Sequence, residues 1–350
     1  MKTDNKNKEF MANLKLFNEQ IATMISNAGK ILKKSDDKKE EAMNYAMVTF
    51  LKNYSQGFEV NMDNFKTVIH LYFISICNGF GIADNQMLRI GTGLYSPTNL
   101  INHSCEPSAM VIFNGKRQFI VSCRDIEPDE EITISYVDNG IKERLIRSQY
   151  LIDQYYFNCS CIRCLKQIQE NTDKSELQLS QNLSEDLEQL NLQALQLEQE
   201  GQFKVSLDIL LSLLETVKQG CYISQIQKEI YERITYLAVQ LKDYKTASVF
   251  QNQLVDLCEI LYLQKDHLPH PLMAMHYYQQ GKLMSQRKKY DESVLALQKA
   301  SSLISDYYGI KSKIDGKMID EKLVNEVNEN LLANIQLQQN KKNKSKDNQL

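Results

Sequence analysis

Asn99–Phe113 reads NLINHSCEPSAMVIF, and Tyr155–Cys164 reads YYFNCSCIRC. The first stretch crowds Asn102, His103, Ser104 and Cys105 together ahead of a short apolar run that reads as a strand. The second brings three thiols, Cys159, Cys161 and Cys164, within six residues. A structural zinc ion takes four ligands in a tetrahedron, so three thiolates on one loop ask for a fourth from elsewhere. Cys105 is the candidate, and His103 is the other side chain of that stretch able to serve. A metal held this way would tie the two stretches together and contribute directly to folding. Two other readings compete. Cys161 and Cys164 form a C-x-x-C that suits redox chemistry, but no βαβ pattern surrounds it. Unrelated core thiols are the other, and three so close in sequence fit that poorly.

The whole-chain numbers fit a reducing compartment and a helix-rich protein. Of 350 residues, 43% are hydrophobic, enough for a sizeable core and two domains, and only 13 Gly and 5 Pro interrupt them. The formal charge of −3 gives no electrostatic case for direct nucleic-acid binding. The polar N-terminus lacks the apolar centre of a signal peptide, and no run approaches about 18 uninterrupted apolar residues, so a membrane span is not expected. The cytoplasm or nucleus follows, where the 8 Cys stay free or bind metal. Cys77, Cys123, Cys221 and Cys258 lie on apolar faces and read as ordinary core thiols.

Outward from the two stretches, the texture changes twice. Before Gly79 the chain repeats apolar residues at intervals of three and four and reads as helical. After it come Gly81, Gly91, Gly93 and Pro97, with Gly91-Thr92-Gly93 read as a turn. AMVIF and RQFIVSCRDI flank Asn114-Gly115, a strong hairpin signal, and ITISY is a further short strand. IKERLIRSQYLIDQ reads as a charged helix. From about residue 175 the pattern is helical again, with Gly201 as a C-cap and amphipathic segments near 203–218, 222–241, 244–263, 270–286, 291–307 and 318–339. GQFKVS, KDYKTAS and KKYDES each place an aromatic, then a small residue, ahead of an apolar stripe, the mark of a repeated helical hairpin. The lysine-rich end, 341–350, reads as a disordered, solvated tail.

With those residues in view, GTGLYSPTNLINHSC, EEITISY and YYFNCSCIRC, in that order, resemble the C-terminal half of a SET domain and its post-SET zinc loop. The closest likeness is to the SMYD family of protein lysine methyltransferases. HPLMAMHYYQQGKLMSQRKKYDESVLALQKASSLI (270–304) is similar to that family's helical C-terminal domain. The resemblance implies S-adenosylmethionine and zinc as cofactors. It implies zinc ligation by Cys105, Cys159, Cys161 and Cys164, and cofactor contacts from Asn102, His103, Tyr136 and Phe157, the last by stacking on adenine. It implies Tyr136 and Tyr155 as the phenols of a lysine channel. The function implied is methyl transfer to a lysine amine in a protein substrate, with the helical C-terminal domain open to protein partners; the sequence itself gives no sign of an oligomer, so a monomer is expected.

The fold class expected is α+β. A helical insert occupies 1–80, the C-terminal half of a SET core 81–158 and a post-SET zinc loop 159–170. An all-α, tetratricopeptide-like domain follows at 175–340. The chain departs from the family in two ways. Ser108 stands where the pattern NHSCxPN has Asn, and neither the N-terminal Gly-x-Gly strand nor a MYND zinc finger is seen before Asn61. A catalytically impaired, zinc-stapled interaction scaffold, or a truncated gene model, is therefore the alternative to an active enzyme.

Overall fold

The computed structural model describes residues 78–84, 89–170, 185–219, 224–262, 269–308 and 319–347. The helices expected before residue 78, together with His70, Cys77, Cys221 and His267, lie outside them. Among the described residues no helix is long and apolar enough to cross a membrane.

Two compact units emerge, and they do not follow chain order. The described part of the first comprises 78–83, 89–102 and 150–158. In it β1 (Phe80–Ala83) pairs antiparallel with β2 (Arg89–Gly93), Phe80 opposite Gly93 and Ile82 opposite Gly91. Gly91-Thr92-Gly93 is thus strand, not the turn its composition suggests. A side chain at Gly93 would meet the Tyr95 ring at 2.8 Å, so the glycine there admits the folded-back aromatic.

The second unit contains His103–Gln149 and everything described from Cys159 onward. β3 (Asn102–His103) leads into it and is hydrogen-bonded beside β6 (Thr133–Ile134), with the Ser104 N–H donating to the Ile134 carbonyl at 2.9 Å. β4 (Ala109–Asn114) and β5 (Arg117–Ser122) form the expected hairpin. Its two central residues are Gly115 and Lys116, one place later than the Asn-Gly pair suggests, because the left-handed φ of +57° falls on Gly115. α1 (Arg144–Tyr155) and α2 (Ile162–Gln169) bracket the cysteine loop.

The C-terminal helices are α3 (Glu185–Gln199), α4 (Phe203–Gln219), α5 (Ser224–Gln240), α6 (Tyr244–Tyr262), α7 (Pro271–Gln286), α8 (Tyr290–Tyr308) and α9 (Glu321–Asp347), each packed on the next. Three junctions repeat one device. At α3–α4, α5–α6 and α7–α8 a residue at positive φ, Gly201, Lys242 or Lys288, donates three residues back. The next residue donates five residues back, which satisfies the last carbonyls of the preceding helix. The small residue noted in each repeat, Ser206, Ala247 or Ser293, is buried at 0% exposure. Ser206 Oγ donates to the Ala194 carbonyl at 3.0 Å, and Ser293 Oγ to that of Gly281 at 2.8 Å. The sequence pattern thus marks where two helix backbones come close. At α7, His270 caps the helix by accepting from the Leu272 N–H at 3.2 Å, with Pro271 in the first turn.

One apolar core runs through this unit. It is built from Leu210, Ile234, Leu237, Cys258, Met273 and Leu297 among others, and Ile112 of β4 belongs to it. Met110, Phe119 and Val121 pack against the same core, and the Tyr307 hydroxyl donates to the Pro269 carbonyl at 2.8 Å. The final helix continues to Asp347, through much of the stretch whose composition reads as a solvated tail. Lys342 pairs with Asp291 at 3.4 Å and Gln338 donates to the same carboxylate, so contacts with the start of α8 support it.

A Cβ built at Gly281 falls 2.6 Å from Leu297 Cγ, which is fully buried and has nowhere to move. Gly281→Ala gains about 1 kcal/mol of helix propensity but incurs overpacking of roughly 1–3 kcal/mol. A lower urea midpoint is expected; a raised one would show that α7 and α8 have slack between them.

Candidate functional site

Cys105, just after β3, lies with Cys159, Cys161 and Cys164 so that all four Sγ atoms are within 4.8 Å of one another. Cys105 and Cys164 are buried, the other two half-buried. The Cys105–Cys164 sulfur separation is 3.6 Å, close to the ~3.8 Å edge of a tetrahedron with metal–sulfur bonds of about 2.3 Å. The sulfur set fits a tetrahedral ion of the zinc type. Without a cation the four thiols cannot ionise together. Hydrogen bonding, first with Cys159, pushes Cys105 up, whereas contacts led by Cys105 pull Cys164 down to about 6. Cys123 and Cys258 are buried away from this cluster at 1% and 0% exposure, as core thiols.

His103 stands between this cluster and Tyr136. Its Nδ1 accepts from the Tyr136 N–H at 2.9 Å, which leaves the proton on Nε2, 3.3 Å from Cys105 Sγ. The rings of His103 and Tyr136 lie 5.2 Å apart. Burial lowers His103 to about 4, so it is neutral at pH 7, and burial raises the Tyr136 phenol, so it stays protonated. Both ring nitrogens of His103 are therefore engaged inside the protein.

Of the residues singled out from sequence, His103, Tyr136 and the four cysteines fall in one unit. Asn102, Tyr155 and Phe157 belong to the other. There Asn102 is exposed, Tyr155 and Phe157 are half-buried, and Tyr155 lies 6.4 Å from the Tyr150 ring. Ser108, which replaces the family's Asn, is fully buried. Its hydroxyl accepts from the Thr133 N–H at 3.0 Å while its own N–H donates to Thr133 Oγ1 at 3.3 Å, so the position still zips β4 to β6.

Sequence reasoning missed three residues here. Asp138, two residues after Tyr136, accepts from the Tyr262 hydroxyl at 2.8 and 2.9 Å, from Gln225 Nε2 at 3.1 Å and from the Gly140 N–H at 2.8 Å. A side chain at Gly140 would meet the Tyr262 ring at 2.6 Å, so glycine is needed where α6 reaches the loop. Arg147 and Arg163 donate to carbonyls around the cysteine cluster. Arg163, between two cysteines, was the more visible of the two. Arg147 shares a helix face with Leu151, four residues on and equally buried, and that was its only signal.

Tyr262→Phe keeps the packing and removes the hydroxyl that meets Asp138. A loss of about 1–3 kcal/mol is expected by urea denaturation, since a half-buried carboxylate loses the hydroxyl that meets both of its oxygens. An unchanged midpoint would show that solvent or Gln225 replaces the bond without loss.

Residues 10–137 match the family model for the SET domain. Among curated proteins, "Histone-lysine N-methyltransferase SMYD3" of Mus musculus is 35% identical over 151 residues, covering 43% of this chain and 35% of that protein. "N-lysine methyltransferase SMYD2-A" of Danio rerio is 34% identical over 110 residues, 31% of this chain and 24% of that protein. "Histone-lysine N-methyltransferase ASHR1" of Arabidopsis thaliana is 27% identical over 270 residues, 67% of this chain and 56% of that protein. The matches span 24–56% of these three relatives' lengths. The SET match takes in Asn102, His103, Cys105 and Tyr136, and the chain is similar over part of its length to SMYD-type SET-domain proteins.

Proposed function

We propose that this chain is an S-adenosylmethionine-dependent protein-lysine N-methyltransferase whose SET segment is stapled by one zinc ion. The observation that carries the reading is the bond between Tyr136 and His103, within a motif that also supplies Cys105 to the four-sulfur cluster. It joins the residue suited to orient a lysine amine to the residues suited to hold a metal. When bound, S-adenosylmethionine supplies a methyl group on a sulfonium cation.

The remaining tasks fall to the protein. Methyl transfer to an amine is an in-line displacement, so alignment of donor and acceptor supplies much of the rate. The neutral His103 sets no positive charge against a sulfonium. The protonated Tyr136 phenol keeps an oxygen lone pair to orient an incoming amine and a proton to donate. Asn102 and Phe157 as cofactor contacts, and Tyr155 as the second phenol of the lysine channel, are roles carried over from the family resemblance. The C-terminal hairpins, tetratricopeptide-like in their repeat, are the surface for protein partners. A reducing compartment, cytoplasm or nucleus, suits free thiolates. The substrate is a protein lysine, histone or non-histone.

Metal analysis of the purified chain should find about one zinc per molecule, with most of it lost in Cys105→Ser. Zinc unchanged in that variant would remove Cys105 from the ligand set. Calorimetric titration should show S-adenosylmethionine binding. A zinc-loaded protein that does not bind it at millimolar concentration would be the scaffold, not the enzyme. With radiolabelled methyl transfer to a mixed protein pool as the assay, Tyr136→Phe should lose on the order of 10²-fold in rate with cofactor affinity nearly unchanged. Full activity in that variant would displace Tyr136 from its role.

A further inference from the structure

Two guanidinium groups flank the four cysteines, and neither pairs with a carboxylate among the described residues. Arg147 is at 0% exposure, and its Nε has no hydrogen-bond partner among the described residues. Its Nη1 donates to the carbonyls of Ile141 at 2.9 Å and Lys142 at 2.6 Å. Its Nη2 donates to Gln167 Oε1 at 2.5 Å and lies 3.7 Å from Cys164 Sγ. Arg163, half-buried, donates to the Cys105 and Asn139 carbonyls at 3.1 Å each and to Ile141 at 2.9 Å. Gln167 Nε2 completes the frame by donating to the Lys142 carbonyl at 2.9 Å.

A charge buried without a counter-charge is strongly unfavourable, and arginine does not escape by losing its proton. Carbonyl oxygens meet most of the donors of these two groups but not their charge. The anions within reach are the cysteine sulfurs. Four thiolates around a divalent ion leave two negative charges, and two guanidinium groups balance them.

We propose that Arg147 and Arg163 are the counter-charges of the metal centre and tie it to the loop Asn139–Lys142, three to six residues beyond Tyr136. The proposal rests on the zinc reading above and adds to it a positioning role for two residues that ligate nothing. An occupied site holds both guanidinium groups by charge, and they in turn hold four loop and strand-end carbonyls: Cys105, Asn139, Ile141 and Lys142. Metal occupancy then sets the position of the segment that follows the tyrosine.

The test uses the full chain in wild-type, Arg147→Met, Arg147→Lys and Arg163→Met forms. Zinc affinity is measured by competition with a chromophoric chelator, and the sulfur-to-metal charge-transfer bands are recorded with cobalt(II) in place of zinc. Removing an outer partner of a metal ligand typically weakens affinity roughly 10–100-fold. That loss is expected in both Met variants, with a shifted cobalt spectrum in Arg147→Met and partial recovery of affinity in Arg147→Lys. Hydrogen exchange at the Gly140 and Ile141 amides should slow on metal loading in wild type and much less in the Met variants. A bracing role through the carbonyls alone would destabilise apo and loaded forms equally, leaving affinity and spectrum unchanged, and that result overturns the proposal. Should Arg147→Met not fold, Arg163→Met and Arg147→Lys carry the same comparison. A wild-type chain that takes up neither metal would overturn the zinc reading itself, an outcome distinct from unchanged variants on a loaded wild type.

Discussion

Convergence of four sulfur atoms within 4.8 Å constrains everything around them. Cys105 follows a two-residue strand, and the other three thiols sit on a loop and the first turn of a helix, elements too short to hold one another by their own hydrogen bonds. A metal ion here would replace a missing sheet: it would supply the long-range connection that more ladder bonds supply elsewhere. His103 extends the constraint by one residue on each side. It accepts from Tyr136 and lies against Cys105, so the orientation of its ring depends on both. Tyr136 is thereby referred to the sulfur cluster rather than to a sheet.

A second constraint arrives from the helices. The Tyr262 hydroxyl meets Asp138 two residues beyond Tyr136, and Gln225 reaches the same carboxylate. The hairpin β4–β5 contributes Ile112 to the helical core, with Met110, Phe119 and Val121 packed against it. Local helix packing and site geometry are thus coupled through buried contacts, and the surface ion pairs add little by comparison. Lys204–Asp208 and Lys289–Glu292 are of that exposed kind.

The helical half was legible because its signals are local. The aromatic-then-small pattern of Phe203/Ser206, Tyr244/Ala247 and Tyr290/Ser293 reports close helix contacts, and Gly201 reports a left-handed cap. Lys242 and Lys288 fill the same left-handed position without glycine, so composition gave no warning of them. The cysteine cluster was legible because thiols have few other uses in such spacing. Arg147 was not, since a single arginine in a charged helix reads as solvent-facing until the fold buries it. Asp138 was hidden for the same reason: its partners Gln225 and Tyr262 are more than eighty residues away, a distance that no window of pattern reading covers. Gly91-Thr92-Gly93 misled because glycine suggests turns, whereas here it makes room for Tyr95 beside a paired strand.

The sharing of one core between the hairpin β4–β5 and the helices bears on how such a chain can change over generations. A domain boundary drawn in chain order would cut through buried contacts, because Tyr307 on α8 lies 3.6 Å from the sulfur of Met110 on β4. Exchange of the C-terminal array for another helical repeat would leave the apolar face of the hairpin without its complement. The two halves must therefore drift together, each accepting substitutions only where the other can absorb them. Gly140 and Tyr262 form the tightest such pair, since any side chain on the first requires a smaller ring or none on the second.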